Sequence, residues 1–191
     1  MQTFVRALRV FFVLLMGGTA VMIALIQSGL FDPKPVGKWA AERPLSPQTI
    51  PAYMQQRFWL DETLPTNAAS LRLTAALQEG EADSAYGLLL GSKNDHLAVA
   101  VSPLGYLSVW QVTENETNVM LPWQTWPHVR RGGEPNEIWL DVAENGRLTI
   151  RINREWLWSG DVETPVGQVG VVGESFGETA VVDFQKLDRT E

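Results

Sequence analysis

The sequence predicts an all-β sandwich preceded by one N-terminal transmembrane helix. Residues 10–31 run without a charge, the chain from residue 56 onward alternates apolar and polar side chains, and Gly, Pro, Asn and Asp recur between the alternating stretches. The first pattern is that of a membrane span, and the other two are those of many short strands joined by tight turns.

Val10 to Phe31 reads VFFVLLMGGTAVMIALIQSGLF. At ~1.5 Å per residue such a helix crosses a hydrocarbon core of ~30 Å. Arg6 and Arg9 precede it, so residues 1–9 read as a short cytoplasmic tail, 10–31 as the span, and everything after Asp32 as extracytoplasmic. A cleaved signal peptide is the competing reading, but its apolar region is typically ~7–15 residues and ends on an A-x-A-like site, neither of which is clear here. Residues 32–52 then carry Pro33, Pro35, Pro44, Pro47 and Pro51, which read as a stiff extended spacer, with Trp39 docking on the domain that occupies residues 53–191.

Charge and composition narrow the function. The chain carries −7, and because residues 1–32 contribute Arg6, Arg9 and Asp32, residues 33–191 carry −8. Such a domain has no electrostatic case for nucleic acid or anionic lipid. The absence of cysteine excludes disulfides, thiolate metal sites and cysteine nucleophiles. Asn115-Glu116-Thr117 matches a glycosylation acceptor, a short motif common by chance. No internal repeat argues for a solenoid or propeller.

Ser70–Gln78 sets Leu71, Leu73, Ala75 and Leu77 on one face, the period of a half-buried strand. Further strands are predicted at Tyr86–Gly91, His96–Ser102, Tyr106–Thr113, Asn136–Ala143, Arg147–Ile152, Glu155–Gly160, Gln168–Gly173 and Thr179–Leu187. Register follows from keeping apolar faces together. A three-residue loop Glu144-Asn145-Gly146, with Gly146 left-handed, pairs Val142 with Leu148, Leu140 with Ile150 and Ile138 with Ile152. Pro103-Leu104-Gly105 likewise pairs Val101 with Leu107 and Val99 with Val109. A tight Asn153-Arg154 turn sets Arg151 opposite Trp156 and Thr149 opposite Trp158.

These registers assemble two candidate binding surfaces. On the first, Trp139, Arg151 and Trp156 form one row with Asp141, Thr149 and Trp158 beside it, an aromatic platform suited to stacking a sugar ring and bonding its hydroxyls. The competing reading is that Arg151 simply stacks between tryptophans, or that the proline-rich segment with Trp39 covers them. On the second, Tyr106, Ser108 and Trp110 rise beside Ser102, Ala100 and Ala98, which makes a shallow groove. The loop LPWQTWPHVRRGG adds Trp123, Trp126, His128, Arg130 and Arg131, although Leu121, Trp123 and Trp126 are also suited to plugging one end of the sandwich.

Asn136 with the alternation after it, Asn153 at the next turn, Gly167 and Gly170 before an apolar strand, and the Val182-Asp183-Phe184 ending resemble the C-terminal strands of the concanavalin A-like lectin/glucanase superfamily. The pattern is also similar to bacterial keto-glycoside hydrolase and laminin-G-like domains. The resemblance implies a jelly-roll sandwich and a history of glycan handling. In the glucanase branch it implies carboxylates at alternate positions of one strand. Here Glu137 and Asp141 stand about 13 Å apart at ~3.3 Å per residue, beyond the ~5–9.5 Å of glycosidase pairs, and Glu144 is a turn residue. That motif is broken, while carboxylates from different strands remain able to meet.

His96 and His128 lack zinc-ligand spacing. Asp83, Asn94 and Asp95, flanking one strand turn, offer oxygens to calcium, but such residues usually form turns. The sequence thus reads as a membrane-anchored, extracytoplasmic lectin-like module that binds a glycan or a cell-envelope partner without catalysis and without a cofactor. A glycoside hydrolase and a structural domain of an envelope assembly are the alternatives.

Overall fold

The computed structural model describes residues 2–27, 32–64, 68–114, 116–161 and 167–190. Asn115 of the glycosylation motif and residues 28–31 of the expected span lie outside them. The chain divides into two units, residues 1–34 and 35–191.

The first unit is helix α1 (Gln2–Gln27), 26 residues that take in Arg6 and Arg9 as well as most of the apolar run. Its segment Leu8–Leu25 has a mean hydropathy of 2.2, enough by length and composition to cross a membrane. An N-terminal signal sequence meets the same description. Thr19 returns its hydroxyl to the Leu15 carbonyl at 2.9 Å, so its one polar group is satisfied within the helix.

The second unit holds β1 (Trp39–Pro44), β2 (Gln48–Ile50), β3 (Gln55–Thr63), β4 (Ala69–Glu79), β5 (Ala85–Gly91), β6 (Asp95–Ser102) and β7 (Tyr106–Thr113). It continues with β8 (Glu116–Thr125), β9 (Asn136–Val142), β10 (Arg147–Ile152), β11 (Glu155–Asp161), β12 (Gln168–Glu174) and β13 (Ala180–Thr190). One sheet runs β1-β13-β4-β9-β10-β11 with β2 beside β13, and the other runs β3-β12-β5-β6-β7-β8. All neighbours in both sheets are antiparallel.

Alternation decides which side chains meet between the sheets. Leu71, Leu73, Ile138, Leu140, Ile150, Ile152 and Phe184 from the first sheet bury against Tyr86, Leu88, Leu90, Val99, Val101, Leu107 and Val171 from the second. Both three-residue hairpins take the expected registers, with Leu140 opposite Ile150 and Val99 opposite Val109. Their glycines are left-handed, Gly146 at φ 79° and Gly105 at φ 91°. The third hairpin departs from expectation. Asn153 and Arg154 form the tight turn, both at positive φ, and Arg151 does face Trp156. A bulge after that pair then sets Ile150 opposite Trp158 and Thr149 opposite Ser159. Trp158 therefore turns inward and packs on the core with Leu157.

Residues 32–52 are extended, as expected, but they do not form a free spacer. β1 and β2 both pair with β13, so the sandwich begins well before residue 53. The prolines are accommodated because β1 lies at a sheet edge, where a missing N–H interrupts no ladder. β8 extends through Leu121-Pro122-Trp123, a stretch expected to be loop, for the same reason.

The consequence of β1 is that Trp39 covers Trp139 on the outer face of the first sheet. Trp39 lies 5.4 Å from the Trp139 ring, and the Arg72 guanidinium sits 4.6 Å over Trp39 and 5.7 Å from Trp139. Arg72 is held in turn by Asp188 at 2.6 and 2.8 Å. Trp139 is left 2 % exposed. Its indole N–H donates to Asp141 at 2.6 Å, and Asp141 also accepts from Ser70 and, at 3.3 Å, from Arg151.

Buried polar groups elsewhere fix the loops. Asn136 donates to the Tyr86 hydroxyl at 2.9 Å and exchanges bonds with the Arg130 backbone, while Asn153 reaches Asn136 at 2.7 Å and the His128 carbonyl at 2.6 Å. Burial pushes the Tyr86 hydroxyl up to about 12, with the bond from Asn136 opposing it. His96 is also buried, edge-on to Trp59, with Nδ1 3.1 Å from the Ser92 carbonyl. Burial and, second, the nearby Arg57 charge hold its pKa below the ordinary value, with the Ser92 bond and Asp95 opposing.

Two outcomes follow. Trp139→Ala should destabilise the sandwich by about 3 kcal/mol or more in urea unfolding, because it opens a cavity under Trp39 and strips Asp141 of a donor. For His96 the unfolded state binds the proton more readily, so its contribution is whole above about pH 6.5 and is lost as pH falls through the lowered folded value. Unfolding midpoints should accordingly fall faster below about pH 6.5 in the wild type than in His96→Gln.

Candidate functional site

The two outer faces of the sandwich differ. On the first sheet, the expected platform is not open. Trp139 is roofed by Trp39, Asp141 is buried among its donors, and Trp158 has turned to the core. Arg151 is drawn to Asp141 rather than offered to solvent. Trp156 alone of the predicted tryptophans on this sheet stands out, 56 % exposed, with its N–H on Ser159 at 2.9 Å. The register correctly set Trp139, Arg151 and Trp156 side by side; what it could not give was the Trp39 side chain, which reaches Trp139 from the edge strand.

The outer face of the second sheet is open and is built as a groove. β7 sends Tyr106, Ser108 and Trp110 outward, opposite Ser102, Ala100 and Ala98 of β6. The floor stays low because its residues are small. At Gly87, on β5, a Cβ would fall 2.0 Å from the Val99 carbonyl oxygen, so no side chain fits. Trp110 packs on this floor with Leu89, Ala98, Ala100 and Val172. Trp123, from the edge strand β8, stands beside it 40 % exposed.

Facing the aromatic wall is a polar one that was not singled out from the sequence. β3 alternates Gln55, Arg57 and Trp59 against the inward Phe58 and Leu60, a signal legible in QQRFWLDET. The Arg57 guanidinium donates to Gln55 Oε1 at 2.8 and 3.0 Å, and Gln55 Nε2 donates to Glu174 at 3.2 Å. Arg57, Gln55 and Glu174 thus form one chain of fixed donors and acceptors. Between the walls lies a cavity of about 230 Å³, completed by Ser108, Thr117 and Val119. A second cavity of about 250 Å³ adjoins it at the end of the sheet, where Trp123 and Tyr106 meet Asp83, Ser102, Leu104 and Phe176.

The remaining candidates fall elsewhere. Trp126 and Leu121 pack on the core, so of the three residues proposed to plug the end Trp123 belongs to the groove instead. Glu137 pairs with Arg154 at 3.4 Å and lies, with Asp141, on the sheet opposite the groove. The proposed calcium ligands do not converge. Asp83 precedes β5 whereas Asn94 and Asp95 follow it, and the seven residues of that strand put them about 20 Å apart. Among the described residues no group of three or more His, Asp or Glu side chains is placed to hold a metal ion.

The sequence matches no protein-family model and no curated protein. Its fold does match solved structures. Carbohydrate-binding module CBM66 from Bacillus subtilis superposes with a TM-score of 0.54 at 14 % identity, over 83 % of this chain and 94 % of that one. A Bacillus licheniformis beta-glucanase gives 0.55 at 6 % identity, over 72 % and 71 %. Sheep galectin-11, solved with glycerol, gives 0.51 at 14 % identity, over 73 % and 98 %. Residues 35–191 have a concanavalin A-like jelly-roll fold.

Proposed function

We propose that this chain is a membrane-anchored, extracytoplasmic module that binds glycan without cleaving it, and that it does so in the groove on the outer face of the second sheet. The observation that carries this reading is the pairing of Trp110 and Trp123 with the Arg57, Gln55 and Glu174 chain across a floor of small residues. A sugar ring has apolar C–H faces and a rim of hydroxyls. It needs a flat aromatic surface on one side and fixed donors and acceptors on the other.

The similar folds of a carbohydrate-binding module and a galectin support the reading at the level of architecture. The hydrolase alternative requires a second carboxylate ~5–9.5 Å from the first. Glu174 is the one carboxylate among the described residues lining the cavity between the walls, and its Oε2 is engaged by Gln55. For the anchor, the support is the apolar stretch of α1, and for an outward domain it is the charge bias of Arg6 and Arg9 near the start of that helix. An envelope partner protein would use the same exposed Trp123 and Tyr106, and binding to glycans is what separates the two readings.

The test is a glycan array probed with the full chain in detergent, with and without calcium. Retention of oligosaccharides is expected in both conditions. Trp123→Ala should keep near-native stability and weaken binding several-fold, since a stacked aromatic contributes ~0.5–1.5 kcal/mol beyond its area. Undiminished binding in Trp123→Ala, together with loss in Trp156→Ala, would move the site to the other sheet.

A further inference from the structure

We infer that the cavity at the end of the groove is a subsite for a cationic sugar residue, a hexosamine bearing a free ammonium group. The inference rests on the glycan-binding reading of the same face and specifies its ligand. Its starting point is Asp83, whose Oδ1 is buried and has no hydrogen-bond partner among the described residues. That oxygen is sealed from the cavity, but Asp83 is only partly buried and lines it, so a ligand there meets a carboxylate whose charge is left unpaired on its inner side.

The walls around Asp83 narrow what that ligand is. Leu104, Tyr106, Trp123 and Phe176 are apolar or aromatic and each is more than a third exposed, so they present rings and methyls to whatever enters. Ser102, the other polar side chain there, is already occupied: its hydroxyl donates to the Ala82 carbonyl at 3.0 Å and accepts from the Leu104 N–H at 3.3 Å. A neutral sugar could give Asp83 a hydroxyl and stack its ring, but it would leave the carboxylate charge uncompensated. An ammonium gains from both, through a charge-assisted bond to the carboxylate and attraction to the ring faces. Net charge agrees, since residues 33–191 carry −8 and draw cations towards them.

Size and continuity select a sugar over a small free amine. The cavity, about 250 Å³, has room for a ring, and Trp123 lines both it and the groove. A polymer threading the groove past Trp110 would therefore place its next residue against Asp83. A partly de-N-acetylated hexosamine polymer has this character: neutral rings for the groove and an amine for the end.

The experiment is calorimetric titration of the full chain in detergent at mildly acid pH with three oligomers of equal length, made of glucosamine, of N-acetylglucosamine and of glucose, and with polylysine. The glucosamine oligomer should bind about tenfold more tightly than the other two, and added salt should erode the difference. Asp83→Asn should abolish that preference while leaving the neutral oligomers within about twofold of wild type. Equal binding of the three oligomers, or a preference that survives in Asp83→Asn, overturns the inference while leaving the groove reading intact if Trp123→Ala still weakens the neutral oligomers. No binding to any oligomer overturns both. Asp83-dependent binding of polylysine alone assigns the cavity to a protein partner and overturns the glycan ligand. Should Asp83→Asn fail to fold, Asp83→Glu, which keeps the charge but moves it, must lower the preference for the inference to stand.

Discussion

The structure depends on a set of buried charges and rings on the outer face of the first sheet, centred on Asp141, Trp139 and Arg72 and covered by the Trp39 side chain. Asp141 is a buried carboxylate and requires partners; it finds Ser70 on β4, Trp139 on its own strand and Arg151 on β10. Arg72 extends this across β4 to Asp188 on β13 and carries its guanidinium over Trp39 and Trp139. A charge left without its partner in such surroundings costs several kcal/mol, so the lattice is expected to hold or fail as a unit. Backbone support comes from the Val36 N–H, which donates to the Ser70 hydroxyl at 2.8 Å.

This division of labour bears on function. With Trp139 and Trp158 committed to packing, the first sheet leaves Trp156 alone of the expected platform's tryptophans exposed, whereas the second sheet sets the exposed Tyr106 and Trp123 beside a groove. The chain enters the domain at Trp39, opposite Thr190. Asp83 and Phe176 instead border the strand ends near Ala180. Eleven residues of β13 separate the two ends, about 33 Å at strand rise. The end cavity thus lies at the end of the sandwich opposite to the one where the chain enters it.

Much of this was legible in the residues, and the failures have physical causes. Period-two alternation and the glycines at 105 and 146 gave the hairpin registers, because a slip would have exposed every apolar side chain at once. Trp158 was misplaced because a bulge at Leu157 flips all that follows, and nothing in the run EWLWSGD marks where the extra residue falls. β1 and β2 were hidden by prolines that an edge position tolerates. The roof over Trp139 was foreseen as a competing reading through Trp39, but register within a sheet cannot say what lies above it. The polar wall was missed because Arg57, Gln55 and Glu174 are brought together by β3 and β12, strands far apart in sequence.

The central claim, one face closed and the other open to glycan, is tested most directly by oxidative footprinting of tryptophans on the native full chain, read by mass spectrometry with and without bound oligosaccharide. Trp139 should stay protected in both states, Trp156 should react in both, and Trp123 should react alone and become protected when glycan binds. Rapid oxidation of Trp139 in the native protein, or protection of Trp156 in place of Trp123 by the glycan, would contradict the account.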